Sequence, residues 1–195
     1  MFRNIGRKEN FKEITKFGGN HTKIMWNKQA VIVDDYQVDD DGNIVVDEND
    51  NPIIIGHHED PNLVSWMEEN FISSTPDIQQ IKKMILDQIN TETDIKILNG
   101  FSWTSPDDTV IPVYLSSENQ FNYKAAYDLA YQTNGASLPF TLKFGESDAP
   151  QYYEFNTLET FNNFYVASIN FINTTLQEGW EKKDSIDWDK YIVTE

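Results

Sequence analysis

The chain has 195 residues, 39% of them hydrophobic and 13% aromatic, which fills one good core, or a core and an appendage, and rules out disorder as the default. It has no cysteine, which excludes disulfides, thiolate metal sites and a cysteine nucleophile. The formal charge of −17 argues against general nucleic-acid binding, because an acidic surface repels phosphate backbones.

That charge is unevenly spread. Residues 1–33 carry seven Lys or Arg against two Glu, whereas Asp34 to Asp60 holds ten acids and no Lys or Arg. A basic N-terminal arm ahead of an acidic segment suggests docking on acidic protein, another copy of this chain included. "MFRNIGRKENFKEITK" is polar throughout, so no secretion signal is expected, and no apolar run approaches the ~20 residues of a membrane span.

In chain order, "ENFKEITKFGG" suits a short helix, with Asn10 and Glu13 at capping-box spacing and Gly18-Gly19 as a stop. "TKIMWNKQAVIVDDYQV" predicts one or two strands around a polar turn at Asn27 to Gln29. "DDDGN" and "ENDNP" are turn signals separating the short strands "NIVVD" and "IIIG", which makes a β-meander of three or four strands. The same stretch raises a calcium loop, whose ligands from Asp39 would be Asp39, Asp41, Asn43, Asp47 and Asp50. Position 6 of that loop is Ile44 where a sharp bend needs glycine, and position 12 is the short Asp50. Hairpin turns are the better reading. His57, His58 and Glu59 invite a metal, but neighbouring residues on a strand point to opposite faces, so the two imidazoles do not share one ion.

"NLVSWMEENF" is expected to be a short helix capped by Asp60. "STPDIQQIKKMILDQIN" is a clear helix, with Ile78, Ile81, Met84, Ile85 and Ile89 on one face. Beyond it come two strands, "DIKILNGFSW" with a turn or bulge at Asn99-Gly100, and "TVIPVYLS". A helix capped by Ser117 with Gln120 three residues on follows, then a hairpin of "LPFTLKFGES" and "QYYEFN". Last is a long helix capped by Asn156 and Glu159, whose buried face is Phe161, Phe164, Tyr165, Ser168, Ile172, Thr175 and Leu176. Trp188 and Tyr191 should pack back on the body. The expected class is α+β: an N-terminal arm and β-meander with short helices (1–72), a linker helix (73–92) and a ββαββα module with an antiparallel sheet (93–195).

The Phe-x-Trp strand of "GFSW", "VIPVYLSSENQFNYKAAYDLA", the Lys-Phe-Gly of "LPFTLKFG" and the helix ending Gly179-Trp180 carry a resemblance. Over roughly residues 94–191 the chain resembles a domain-of-unknown-function family of tail-associated proteins in bacteriophages and prophages. It is similar above all to versions from phages of gut Bacteroidales, the crAss-like group included. The resemblance implies a structural, oligomeric virion protein of the tail, collar or tail-fibre attachment region, made in the bacterial host cytoplasm and residing in the virion. Other virion proteins and copies of itself would be its partners.

No catalytic, cofactor-binding or metal residue is expected. The chain has no Gly-x-Ser-x-Gly elbow and no phosphate loop, and His21, His57 and His58 all fall in the first sixty residues. Two other functions remain open: a tail-fibre assembly chaperone, and a carbohydrate-binding module using Trp103, Trp180, Trp188 and the tyrosines.

Overall fold

A computed structural model describes residues 3–17, 20–73, 75–145 and 148–192. The architecture is α+β, as composition and periodicity predict. The chain forms two compact units, one of Met1–Ile85 with Asp187–Glu195, the other of Leu86–Ile186.

The first unit is built on a four-stranded antiparallel sheet of order β1-β4-β3-β2, formed by β1 (Asn4–Arg7), β2 (Ile14–Phe17), β3 (His21–Tyr36) and β4 (Ile54–Phe71). β3 and β4 make one long hairpin in place of a meander of short strands. The turn expected at Asn27 to Gln29 is a bulge inside β3, where the register shifts and Asn27 takes φ 54°. The carbonyl freed there accepts a 2.6 Å hydrogen bond from the Arg3 guanidinium, which also donates to Ser65 Oγ at 3.3 Å. A bulge that keeps its polar groups satisfied need not end the strand.

Two expected helices are strands. Only Lys8–Asn10 forms a single 3-10 turn in the "ENFKEITKFGG" region, and Ile14–Phe17 is β2, paired with β3 through Ile14↔Ile24 to Phe17↔His21. A helix this short is marginal alone, and the open edge of β3 offers its backbone partners at once. Gly18 and Gly19 lie outside the described residues. "NLVSWMEENF" belongs to β4, because Val64, Ser65, Trp66 and Met67 are consecutively buried, as in a strand covered on both faces.

The N-terminal segment is thus part of its own sheet. Phe11 packs edge-on against Trp66, beside Met25 and Val64. Gly6 lies under the Trp66 indole, where a Cβ would come within 2.7 Å of the ring. Trp188 of a second 3-10 turn (Trp188–Tyr191) takes Lys82 Nζ over its ring at 5.3 Å, and Tyr191 is buried.

Helix α1 (Ile78–Asn99) is longer than expected and absorbs "DIKILN", assigned above to a strand. It stops at Gly100, which has φ 67° and donates to the carbonyls of Ile97 (3.0 Å) and Lys96 (3.3 Å). A Cβ at Gly100 would fall 1.7 Å from Val113 O, so only glycine fits this C-cap.

In the second unit, β5 (Phe101–Thr104) pairs with β6 (Val110–Val113), and β7 (Phe140–Gly145) with β8 (Pro150–Phe155). These are separate two-stranded ladders where one sheet was expected. Between and after them run α2 (Ser117–Gln132) and α3 (Leu158–Asp184). The caps sit one residue from those expected: Ser116 accepts from Asn119 N at 3.2 Å, and Thr157 accepts from Thr160 N at 3.2 Å. The buried face of α3 is the predicted one, with Phe161, Phe164, Ser168 and Thr175 fully buried. Phe161 and Phe164 close a core around Trp103, Tyr123, Phe144 and Phe155.

Candidate interaction surface

β1 reaches only Leu63–Trp66 of β4, and β2 only His21–Ile24 of β3. From Ala30 to Tyr36 on β3 and from Ile54 to Asn62 on β4, no further strand pairs with the hairpin among the described residues. This distal half is a two-stranded ribbon with two open edges, and it carries solvent-facing apolar side chains: Ile32 (58% exposed), Tyr36, Ile54 and Ile55 (67% exposed). Such edges invite pairing unless charges guard them. Asp34, Asp35, Glu59 and Asp60 supply those charges.

His57 Nδ1 lies 2.8 Å from Asp34 Oδ1, and His58 Nδ1 lies 2.8 Å from Asp35 Oδ1. The two imidazoles therefore engage separate carboxylates across the ribbon, as the alternation of a strand requires. Both pairs are exposed, so each contributes little on its own, ~0–1 kcal/mol.

The ribbon ends in a small knob built from an eight-residue repeat, Val38-Asp39…Asn43 followed by Val46-Asp47…Asn51. Asp39 Oδ1 accepts from the backbone N–H groups of Asp41 (3.0 Å) and Asn43 (2.9 Å), and Asp47 Oδ1 accepts from those of Asn49 (2.8 Å) and Asn51 (3.0 Å). Gly42 and Asp50, eight residues apart, hold the matching positive φ angles of 83° and 61°. Single antiparallel bridges close the two loops, Val38↔Ile44 and Val46↔Pro52.

The loops are joined by a closed triangle of backbone hydrogen bonds between residues again eight apart. Gln37 N donates to Ile53 O (2.9 Å), Ile53 N to Val45 O (3.0 Å) and Val45 N to Gln37 O (2.8 Å). The hairpin stem fills the third side of this pseudo-threefold arrangement. The knob exposes Val38 (57%), Ile44 and Val46, with Asp40, Asp41, Glu48 and Asp50 around them.

This geometry bears on the calcium ligands considered above. Asp39, Asp41 and Asn43 sit in the first loop, Asp47 and Asp50 in the second. The Asp39 and Asp47 carboxylates brace their own loops. Backbone donation by Asn43 holds the Asp39 carboxyl below its ordinary value, and backbone donation by Asn51 does the same for Asp47. Those two carboxylates are engaged by backbone amides of separate loops, where a twelve-residue calcium loop would turn them onto one centre.

The signal for this knob, the repeated Val-Asp-x-x-x-Asn, lay in the sequence. A search for one twelve-residue metal loop runs across it instead of dividing it in two.

The second unit also exposes large apolar side chains, among them Phe121 and Tyr131 on α2 and Tyr152 on β8, but without a braced knob among the described residues. Trp103, a sugar-stacking candidate, is buried in the core among Phe155, Phe164 and Tyr153, and its indole N–H donates to Asn163 Oδ1 at 3.3 Å. Trp180 is exposed, while Trp188 belongs to the first unit and carries Lys82. Ser105, hydrogen-bonded to Asp107 and to Thr109 N, locks the β5–β6 turn, and residues 86–186 contain no histidine. A hollow of about 210 Å³ between α2 and α3, lined by Phe121, Tyr165, Ile169 and Ile172, contains Lys124, which is tied to Asp128 at 2.7 Å.

No helix among the described residues is long and apolar enough to cross a membrane. A scan against protein-family models, a search of curated proteins and a search of solved structures each returned no match.

Proposed function

We propose that this protein works by assembly and not by catalysis, as a structural component of a bacteriophage virion in the tail, collar or fibre-attachment region. The observation that carries the reading is the long β3–β4 hairpin. It invests two strands and an ordered knob in a ribbon that buries little of its own apolar surface. A fold spends ordered, solvent-facing β-branched residues in this way where a partner covers them. The residues of the second unit that resemble phage tail-associated proteins form a compact aromatic core of their own.

The assembly-chaperone reading uses the same hairpin but would leave the protein out of finished particles. The carbohydrate reading loses Trp103 to the core and keeps one well-exposed tryptophan, Trp180. Mass spectrometry of purified particles, with antibody-labelled electron micrographs, tests the proposal. The protein should be present at fixed stoichiometry and at one position along the tail axis. Presence in lysates but absence from particles would replace it with the chaperone.

A further inference from the structure

The two ends of the β3–β4 hairpin are unlike. The distal end is the knob, apolar at Val38, Ile44 and Val46, and no Lys or Arg occurs between Lys28 and Lys82. The proximal end is basic on balance, with Arg3, Arg7, Lys8, Lys12, Lys16, Lys23 and Lys28 against Glu9, Glu13, Glu68 and Glu69, of which Glu9 pairs with Arg7. It contains an open hollow of about 510 Å³, with Phe17 and Met25 as apolar lining and Lys12 and Lys23 as its cations. Glu9 is the acid of that lining, and Lys23 is paired with Glu68 at 3.1 Å. Phe17 is 43% exposed there. The hollow lies in the volume range, roughly 300–1,000 Å³, that accommodates a group of several side chains.

These two surfaces complement each other in charge and in apolar character, yet they cannot meet within one molecule. From Lys23 to Tyr36 the strand advances roughly 3.3 Å per residue, which sets knob and hollow about 40 Å apart on one continuous hairpin. A surface and its complement fixed apart on a single body pair only between molecules. The result is a head-to-tail contact, which closes into a ring or runs on as a filament.

We propose that the occupant of the basic hollow is the acidic knob of a second copy of this chain. The inference rests on the assembly reading above and names its partner. Ile44 and Val46 of one copy seat against Phe17 and Met25 of the next, while Asp40 and Glu48 face Lys12 in the hollow and Lys8, outside its lining but next in sequence to Glu9 of its wall. Opposite charge selects the partner and speeds encounter, and apolar burial holds it. The knob's own repulsion of other knobs disfavours a knob-to-knob dimer.

Sedimentation velocity on the full chain, over a range of concentration and salt, tests this. The wild type should self-associate beyond a dimer and should weaken with salt without becoming fully monomeric, since apolar burial is not screened. Asp40→Lys/Glu48→Lys and Lys8→Glu/Lys12→Glu change exposed side chains and should keep the wild-type circular dichroism. Each variant alone should lose association by about tenfold or more, and a mixture of the two should regain it. Ile44→Ser/Val46→Ser should weaken association at every salt concentration.

A monomer at all concentrations overturns the inference, as does association indifferent to the knob substitutions or a mixture that fails to recover. A monomer that nonetheless enters particles leaves the assembly reading standing and places a different virion protein on the knob.

Discussion

Truncating Phe164 to alanine should be the most costly large-to-small core change in the second unit. Its ring is fully buried and lies 5.2–5.4 Å from those of Trp103, Tyr123, Phe144 and Phe155, mostly edge to face. Removing a buried phenylalanine costs ~3–5 kcal/mol through lost transfer energy and the cavity left behind. Each of the three edge-to-face pairs adds ~0.5–1.5 kcal/mol, but they share one ring and will not sum. A value near the upper end is expected. That is a large fraction of the 5–15 kcal/mol typical of a domain, so urea unfolding followed by near-ultraviolet dichroism should show a midpoint shifted far down or lost.

The useful comparison is Asn163, one residue away. On periodicity alone it lies on the outer face of α3 and its replacement should be harmless. Its Oδ1, however, accepts the indole N–H of the buried Trp103, so Asn163→Ala leaves that donor unsatisfied and should cost ~1–3 kcal/mol. Val166→Ala, on the exposed side of the same helix, should cost less than either. Equal destabilisation by Phe164→Ala and Val166→Ala would refute the assigned helix face.

Three further outcomes are expected. Gly100→Ala should prevent stable folding of the second unit, because its Cβ would overlap Val113 O, and ordinary expression with an unchanged melting temperature would contradict the C-cap described here. In acid, the knob's order should persist below the pH at which an ordinary aspartate protonates. Backbone donation by Asn43 and Asn51 holds its two bracing carboxyls below an ordinary aspartate, so their stabilisation is present above the ordinary value and lost as pH falls through the lower folded one. NMR shifts of the Asn43 and Asn51 amides report this, and a transition at about pH 5 would refute it. Millimolar calcium should move the melting temperature very little, and a chelator should not unfold the hairpin. A clear stabilisation would mean that a cation binds only the folded knob.

What was legible in the sequence follows from how local the determining interactions are. α2, α3 and the β7–β8 hairpin were readable because their caps, turns and apolar periods lie within a few residues of one another. Even so the caps moved by one, Ser116 and Thr157 in place of Ser117 and Asn156, since adjacent residues of similar chemistry compete for the same orphan amides. β2 and β4 were misread because a partner strand, and not a period of their own, decides them. Ile14–Phe17 becomes a strand by meeting His21–Ile24. The run Val64 to Met67 has no alternation because the sheet is covered on both sides, which hides the period that would mark a strand. "DIKILN" continues α1 for a different reason. Its β-branched residues argue for a strand, but the helix finds no stop until Gly100, the one position there able to take a positive φ beneath Val113 O.

The distal hairpin raises the opposite problem, since its order exceeds what its own burial explains. A two-stranded ribbon is at best marginal in water, and the exposed His57–Asp34 and His58–Asp35 pairs add little. The knob supplies what the ribbon lacks. Its backbone triangle at Gln37, Val45 and Ile53 fixes the end of the ladder, and Asp39 and Asp47 satisfy four amides that a plain turn would leave to solvent. That bracing holds the ribbon open-edged and apolar without closing it against its own sheet. Stability here is spent on keeping a surface in shape, and a surface kept in shape at that cost acquires a use only when something binds to it.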